Sequence, residues 1–315
     1  MSRAFVFPGQ GSQAVGMAKE LAATFPAARA LLDEVDEALG QKLSSLMFEG
    51  PIETLTLTEN AQPALMAASL AVMRVLEREK GLVLKDRVAL VAGHSLGEYS
   101  ALAAAGAISV ADAARLLKLR GQSMQKAVPV GVGAMSALLG VGLDVARKIA
   151  ADAAQGDVCD IANDNEPTQV VLSGHKTAID RVPEVGKAHG LRRAIPLPVS
   201  APFHCSLLKP AADAMAEALG KIEIKPPVVP VVANVLAAPV SDPAEIRGRL
   251  VEQVTGTVRW RECVLAMVAA GVTELYEIGT GKVLSGLAGR IDKSLKATPI
   301  GTPADIDAVA AQLLS

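Results

Sequence analysis

The chain has 315 residues, 50% of them hydrophobic and 3% aromatic, with 31 Lys and Arg against 33 Asp and Glu for a formal charge of −2. That length suits one large domain with an insertion, or two domains, and the charge balance leaves no overall electrostatic footprint for nucleic acid. Cys159, Cys205 and Cys263 are too few and too dispersed for a disulfide framework or a zinc site, and no signal-type apolar region or run approaching the ~20 residues of a membrane span is visible, so a cytoplasmic protein with reduced thiols is expected.

A strand is predicted over residues 4–7, followed at once by the glycine-rich turn Phe7-Pro8-Gly9-Gln10-Gly11-Ser12-Gln13. Gly9, Gly11 and Ala14 fit the G-x-G-x-x-A spacing that cradles a dinucleotide pyrophosphate. The same turn could instead aim bare backbone N–H groups at a developing oxyanion. Helical patterning runs through 27–32 and ends near Gly40. A second long helix follows Asn60, with Pro63 in its first turn and an apolar face through Leu65, Ala68, Val72 and Val75. Residues 88–92 read as a short buried strand. Gly93-His94-Ser95-Leu96-Gly97 comes directly after it, then helical residues 98–105. The next helix begins at Ser109, which pairs with Asp112 as a capping box, and runs past Arg120.

From about Val130 the texture changes. Strand 134–139, helix 143–154, strands 158–162 and 169–172, helix 177–189 and strand 193–199 give the β-α-β-β-α-β order of a ferredoxin-like unit. The expected organisation is therefore a small domain over 129–199 inserted into a larger α/β domain formed by 1–128 and 200–315. Alternation then resumes with helix 209–219, strand 228–233, helices 244–254 and 261–270, strand 273–278 and helix 282–291.

Strand, G-x-S-x-G and helix is the context in which a serine becomes a nucleophile, exposed on a sharp turn with a helix N-terminus behind it. The plainer alternative is a tight turn whose Ser95 only caps the helix. Of the four histidines, His94 adjoins Ser95 and is expected to pack or orient the turn, while His175 and His189 lie at helix ends. His204 follows the proline-bracketed Pro198-Val199-Ser200-Ala201-Pro202-Phe203 segment, and the order Ser-then-His suits a hydrolase arrangement. No aspartate stands out as a third member. A dinucleotide fold wants an acidic residue about 20 positions after its glycine turn, yet Asp33, Glu34 and Asp36 fall in helical patterning. The later Gly279-Thr280-Gly281-Lys282 fails as a phosphate loop, because Tyr276 replaces its first glycine and Val283 its Ser/Thr. Arg120 lies beside the apolar face Val110, Ala113, Leu117 and Met124, whereas Arg115 and Lys118 point elsewhere. Patterning alone favours an arginine snorkelling along a helix edge.

The stretches FVFPGQGSQAVGM, TENAQPAL, AGHSLGEYSALAAAGA, LKLRGQSMQ, GVGAMSALLG, IANDNEPTQVVLSG, PVSAPFHC and YEIGTGKVLSGL, in this order across nearly the whole chain, resemble the malonyl-CoA:acyl carrier protein transacylases of fatty acid synthesis. The resemblance implies an α/β-hydrolase-like large domain with a parallel sheet, plus the inserted ferredoxin-like domain. It implies that Ser95 is acylated, that His204 is its base and that the backbone carbonyl of Gln253 orients that base. The oxyanion donors would be the N–H groups of Gln10 and Leu96, which decides the opening turn in favour of an oxyanion hole. Arg120 would bind the free carboxylate of a malonyl group, Phe203 would disfavour a branched 2-methyl group, and Gln62 would line the pocket. Asn163 and Asn165 match an N-x-N segment near the cleft, where they either bond substrate or shape a turn; Glu166 and Thr168 stand where the family more often has small residues. The implied partners are malonyl-CoA and an acidic acyl carrier protein, met by a basic lip for which Arg192, Arg193 and Lys209 are candidates. No cofactor is implied, the coenzyme A thioester being a substrate, and a monomer with no nucleic-acid or membrane partner is expected. The alternatives are a thioesterase delivering the acyl group to water and a non-catalytic acyl-binding module.

Overall fold

In the computed structural model, which describes residues 2–314, ten strands form two sheets. They are β1 (Ser2–Phe7), β2 (Leu90–Gly93), β3 (Gly133–Leu139), β4 (Cys159–Glu166), β5 (Gln169–His175), β6 (Arg193–Pro196), β7 (Val231–Ala233), β8 (Ala238–Val240), β9 (Val272–Ile278) and β10 (Lys296–Ile300). The larger sheet has the order β10-β9-β1-β2-β7-β8. Its neighbours run parallel from β10 through β7, and β8 closes one edge as an antiparallel hairpin with β7.

Period-2 alternation in β1 explains why this sheet is covered on both faces. Phe5 and Phe7 point into the larger core, with the helix Thr58–Arg78 and its neighbours. Ala4 and Val6 point the other way, against Trp260, Cys263 and Met267 of the helix Trp260–Ala269. The expected α/β class with a parallel sheet holds.

Several boundaries differ from the sequence reading. The long helix starts at Thr58, so Pro63 is inside it, not in its first turn. The missing proline N–H would have reached the Glu59 carbonyl. At that point the helix Val110–Ala127 comes very close: a Cβ on Gly121 would lie 2.5 Å from Glu59 Cα and 2.7 Å from the Thr58 carbonyl oxygen. The expected strand 228–233 shrinks to β7, because Val228 is exposed and its N–H is taken by the Ala105 carbonyl in a crossing loop. β10 and the helix Pro303–Leu314 were not anticipated. Lys296 and Pro299 disguise β10, and proline is tolerated there because the strand is an edge.

The smaller sheet, β4-β5-β3-β6, is antiparallel throughout. The helices Leu143–Ala154 and Lys176–Lys187 pack on one face through Leu138, Ile149, Leu172 and Val182. β4 runs to Glu166, past the expected end at 162, because Glu166 closes the turn by accepting from the Thr168 N–H and hydroxyl. β6 stops at Pro196, short of the expected 199. The two sheets are joined beside the cavity described below. Asp164 N–H donates to the Val258 carbonyl, Val258 N–H to that of Ala162, and Arg261 forms an ion pair with buried Asp164 at 2.8 Å.

Candidate active site

Steric crowding sets the turn at Ser95. A Cβ on Gly93 would lie 1.9 Å from the Gly97 carbonyl carbon, and one on Gly97 would lie 2.2 Å from the Phe7 carbonyl oxygen. Only glycine lets strand, turn and helix meet this closely at the end of β1. Ser95 itself has φ 55°, the left-handed region that a serine adopts only when its surroundings hold it there. Its N–H donates to Asn234 Oδ1 at 2.8 Å, and Asn234 Nδ2 donates to the Gly93 carbonyl at 2.7 Å.

The opening glycine turn is pressed onto this elbow, since a Cβ on Gly9 would come within 2.8 Å of the His94 carbonyl oxygen. Its next helix begins only at Lys19, and Gly11 N–H is taken up by Gln13 Oε1. A phosphate cradle at a helix N-terminus is therefore not formed. Gln10 and Leu96 both line the cavity beside Ser95.

His204 is buried, and its Nε2 lies 2.7 Å from Ser95 Oγ. Its Nδ1 is 2.8 Å from the Gln253 main-chain oxygen. A carbonyl can only accept, so Nδ1 carries the proton and Nε2 presents its lone pair to the serine hydroxyl. Burial first, and then the positive charge of Arg120, push the imidazole down to about 3, against a smaller upward pull from the Gln253 carbonyl. His94 turns away from Ser95, with Nε2 2.9 Å from Asn165 Oδ1 and its ring 5.6 Å from that of Trp260. His175 accepts from Val158 N–H and His189 pairs with Asp152, both outside the cavity.

Arg120 is the largest departure from the patterning. It does not snorkel along a helix edge: it is 1% exposed, and its head lies against the serine. Nη1 donates to Gln62 Oε1 at 2.7 Å, and Nη2 donates to Gln253 Oε1 at 2.9 Å and to Ser95 Oγ at 3.2 Å. Its Nε has no hydrogen-bond partner among the described residues. Every acceptor it meets is neutral, so its charge is left without a carboxylate in contact. Burial disfavours that charge and lowers the guanidinium below its ordinary value.

Two residues of this network were missed in the sequence. Glu98 is 2% exposed, and its Oε2 accepts from Gln253 Nε2 at 2.8 Å and from Asn234 N–H at 3.0 Å. Burial raises its carboxyl to about 7 against the pull of those two bonds and of Arg120. The available signal was a lone charged residue opening the otherwise uncharged stretch 98–105. Asn234, just beyond β7, carried none.

The Ser95 side of this network faces a cavity of about 460 Å³ between the C-terminal ends of the parallel strands and the small sheet. Ser95, His204, Arg120, Gln62, Asn163 and Phe203 all line it, while Gln253 stands behind His204. Met135 and Leu197, from β3 and just past β6, make its outer wall apolar. Arg192, Arg193 and Lys209 do not line it: Lys209 pairs with Asp213, and Arg192 packs over Gly140. Among the described residues no group of three or more His, Cys, Asp or Glu is placed to hold a metal, and no helix is long and apolar enough to cross a membrane.

Residues 4–284 match the acyl transferase domain family. The chain is 48% identical over 309 residues to the malonyl CoA-acyl carrier protein transacylase of Salmonella typhimurium, covering 98% of this chain and 99% of that one. Its fold is similar to the crystal structure of an acyl-carrier-protein-S-malonyltransferase from Bartonella henselae, with a TM-score of 0.97, 52% identity and all of both chains covered. It is also similar, at a TM-score of 0.95 and 43% identity over 99% of this chain and 100% of the other, to a malonyl-transacylase in complex with its type II PKS acyl-carrier protein. With near-complete coverage at this identity, and a serine elbow, buried histidine and buried arginine meeting in one cavity, the chain belongs to the malonyl CoA-acyl carrier protein transacylase family.

Proposed function

We propose that this protein transfers the malonyl group of malonyl-CoA to the phosphopantetheine thiol of acyl carrier protein through a malonyl-Ser95 ester, supplying fatty acid synthesis. The observation that carries this reading is the buried Arg120 guanidinium, 3.2 Å from Ser95 Oγ and ringed by neutral acceptors. A hydroxyl and an imidazole suffice for any acyl transfer. A desolvated cation beside them selects an acyl group with a free carboxylate, which a guanidinium fork binds in two-bonded geometry.

Ser95 Oγ attacks the thioester carbonyl as its proton passes to His204 Nε2. The N–H groups of Gln10 and Leu96 take the oxyanion, and the Gln253 carbonyl supports the imidazolium. Collapse expels the coenzyme A thiolate, which takes the proton back from His204. The carrier-protein thiol then gives its proton to His204 and attacks the ester, and Ser95 leaves as the hydroxyl. Phe203 narrows the space for a 2-methyl branch, so malonyl is preferred over methylmalonyl, and Asn163 lines the side nearer the small sheet. The transfer as read uses no cofactor, coenzyme A being part of a substrate. A cytoplasmic monomer meeting the carrier protein at the cavity mouth suits this chemistry.

Intact-protein mass spectrometry after brief exposure to malonyl-CoA tests the reading. A malonyl adduct is expected in the wild type, absent in Ser95→Ala and discharged onto carrier protein bearing its phosphopantetheine arm. An adduct lost to water equally fast without carrier protein would identify a thioesterase instead.

A further inference from the structure

We propose that Glu98, which touches no reacting group, is the positioning residue that locks the nucleophile, its base and the acyl-selecting arginine into one arrangement through Gln253 and Asn234. The inference rests on the malonyl reading above.

The Gln253 amide lies between a carboxylate and a guanidinium. Its Nε2 donates to Glu98 Oε2 at 2.8 Å, and its Oε1 accepts from Arg120 Nη2 at 2.9 Å. Turned over, it would face its oxygen to the carboxylate and its N–H groups to the guanidinium, two repulsive contacts in a buried site. Glu98 therefore dictates that Gln253 offers oxygen to Arg120. The same Nε2 also reaches the Ser95 carbonyl at 3.0 Å, and the Gln253 main-chain oxygen holds His204 Nδ1 at 2.8 Å. One residue thus touches the arginine, the base and the serine, and Glu98 sets its orientation.

The second arm runs through Asn234. Glu98 Oε2 accepts its N–H at 3.0 Å, while its side chain holds Ser95 N–H at 2.8 Å and the Gly93 carbonyl at 2.7 Å. The strained φ of Ser95 is thereby held from both sides, by Asn234 on its N–H and by Gln253 on its carbonyl. A buried carboxyl with no cation in contact is costly. At this 2%-exposed position an apolar residue would avoid that cost. When ionised, Glu98 also places a negative charge one amide away from Arg120. It favours the buried cation without occupying the guanidinium face that a substrate carboxylate needs.

Single-turnover acylation of Ser95 by malonyl-CoA and by acetyl-CoA, followed by mass spectrometry, tests this. The ratio of the two rates does not depend on how much of a variant is folded, so a purely structural role for Glu98 leaves it unmoved. In Glu98→Ala the malonyl rate should fall at least ~10-fold, one charged-group hydrogen bond's worth, with the malonyl-to-acetyl ratio dropping toward that of Arg120→Ala. Glu98→Gln, whose Oε1 accepts the same two hydrogen bonds, should keep the ratio within about threefold of wild type. Gln253→Met keeps the main-chain carbonyl but loses the amide bridge, and it too should lose the ratio. Wild-type ratios in Glu98→Ala, or in Gln253→Met if Glu98→Ala does not fold, overturn the inference. A wild-type enzyme without preference for malonyl over acetyl overturns the malonyl reading itself and this inference with it.

Discussion

The imidazole beside Ser95 is held neutral by its surroundings. His204 is buried beside a fixed positive charge, and each of these opposes protonation. Its folded-state pKa, about 3, lies below the ordinary 6.5, so the unfolded chain binds the proton first on acidification. The stability this group contributes is present above pH 6.5 and is lost as pH falls from there toward 3. Stability should therefore drop more steeply below pH 6.5 in the wild type than in His204→Gln, as read from urea unfolding at a series of pH values. In the folded protein the ring 15N signals of His204 should still report the neutral Nδ1–H form at pH 5. An imidazolium there would contradict the geometry, because Ser95 would face a nitrogen already bearing a proton. Glu98 shifts oppositely, up to about 7, so its burial weakens the fold progressively as pH rises from about 4.5 to 7.

At the element scale, the close crossing of the helices Thr58–Arg78 and Val110–Ala127 delivers Arg120 to Gln62. Gly121, the next residue, permits that approach, with its missing Cβ 2.5 Å from Glu59 Cα. Gly121→Ala must push the helices apart and should cost about 1–3 kcal/mol as overpacking. Gly248, in the helix Pro243–Thr255, has nothing within 4 Å of where a Cβ would stand. There alanine should stabilise by up to about 1 kcal/mol through helix propensity alone. Thermal unfolding of the two variants checks the contrast: opposite signs are expected, and a neutral Gly121→Ala would show that the crossing has slack. The helix after the elbow follows the same logic, since Gly93 and Gly97 allow the end of β1, the turn at Ser95 and the helix Gly97–Ala104 to occupy one small space.

Across the whole molecule, the cavity exists because the small sheet is fastened over the C-terminal ends of the parallel strands. The fastening is local: the bridge between Asn163 and Val258, and Arg261 gripping buried Asp164 at 2.8–3.2 Å. Asp164→Ala leaves a partly exposed Arg261 unpaired and should cost about 2–3 kcal/mol, the lower end for a buried pair because one partner keeps water contact. The loss should appear as a lowered Tm together with a raised KM for malonyl-CoA, since the strand carrying Asn163 would be held there by its backbone bridge to Val258 without the ion pair. A lowered Tm with unchanged KM would mean that this wall of the cavity does not depend on the fastening. The serine elbow, the glycine turn before it and the α/β alternation were legible in the amino-acid sequence because they are local. They follow from backbone sterics at named glycines and from the periodicity of single elements. β10 was not legible, because its Lys and Pro suit an edge that only the assembled sheet defines. Nor was the environment of Arg120, where patterning favoured a solvent-reaching side chain. Its surroundings come from Gln62, Ser95 and Gln253, on elements far apart in the chain, and burial of a cation among neutral oxygens has no one-dimensional signature. Where the chain turns, and which serine those turns expose, follow from the order of residues alone. That Glu98, Asn234 and Gln253 hold that serine, its histidine and its arginine in a single network follows only from the assembled fold, because hydrogen-bond partners are chosen by proximity in space.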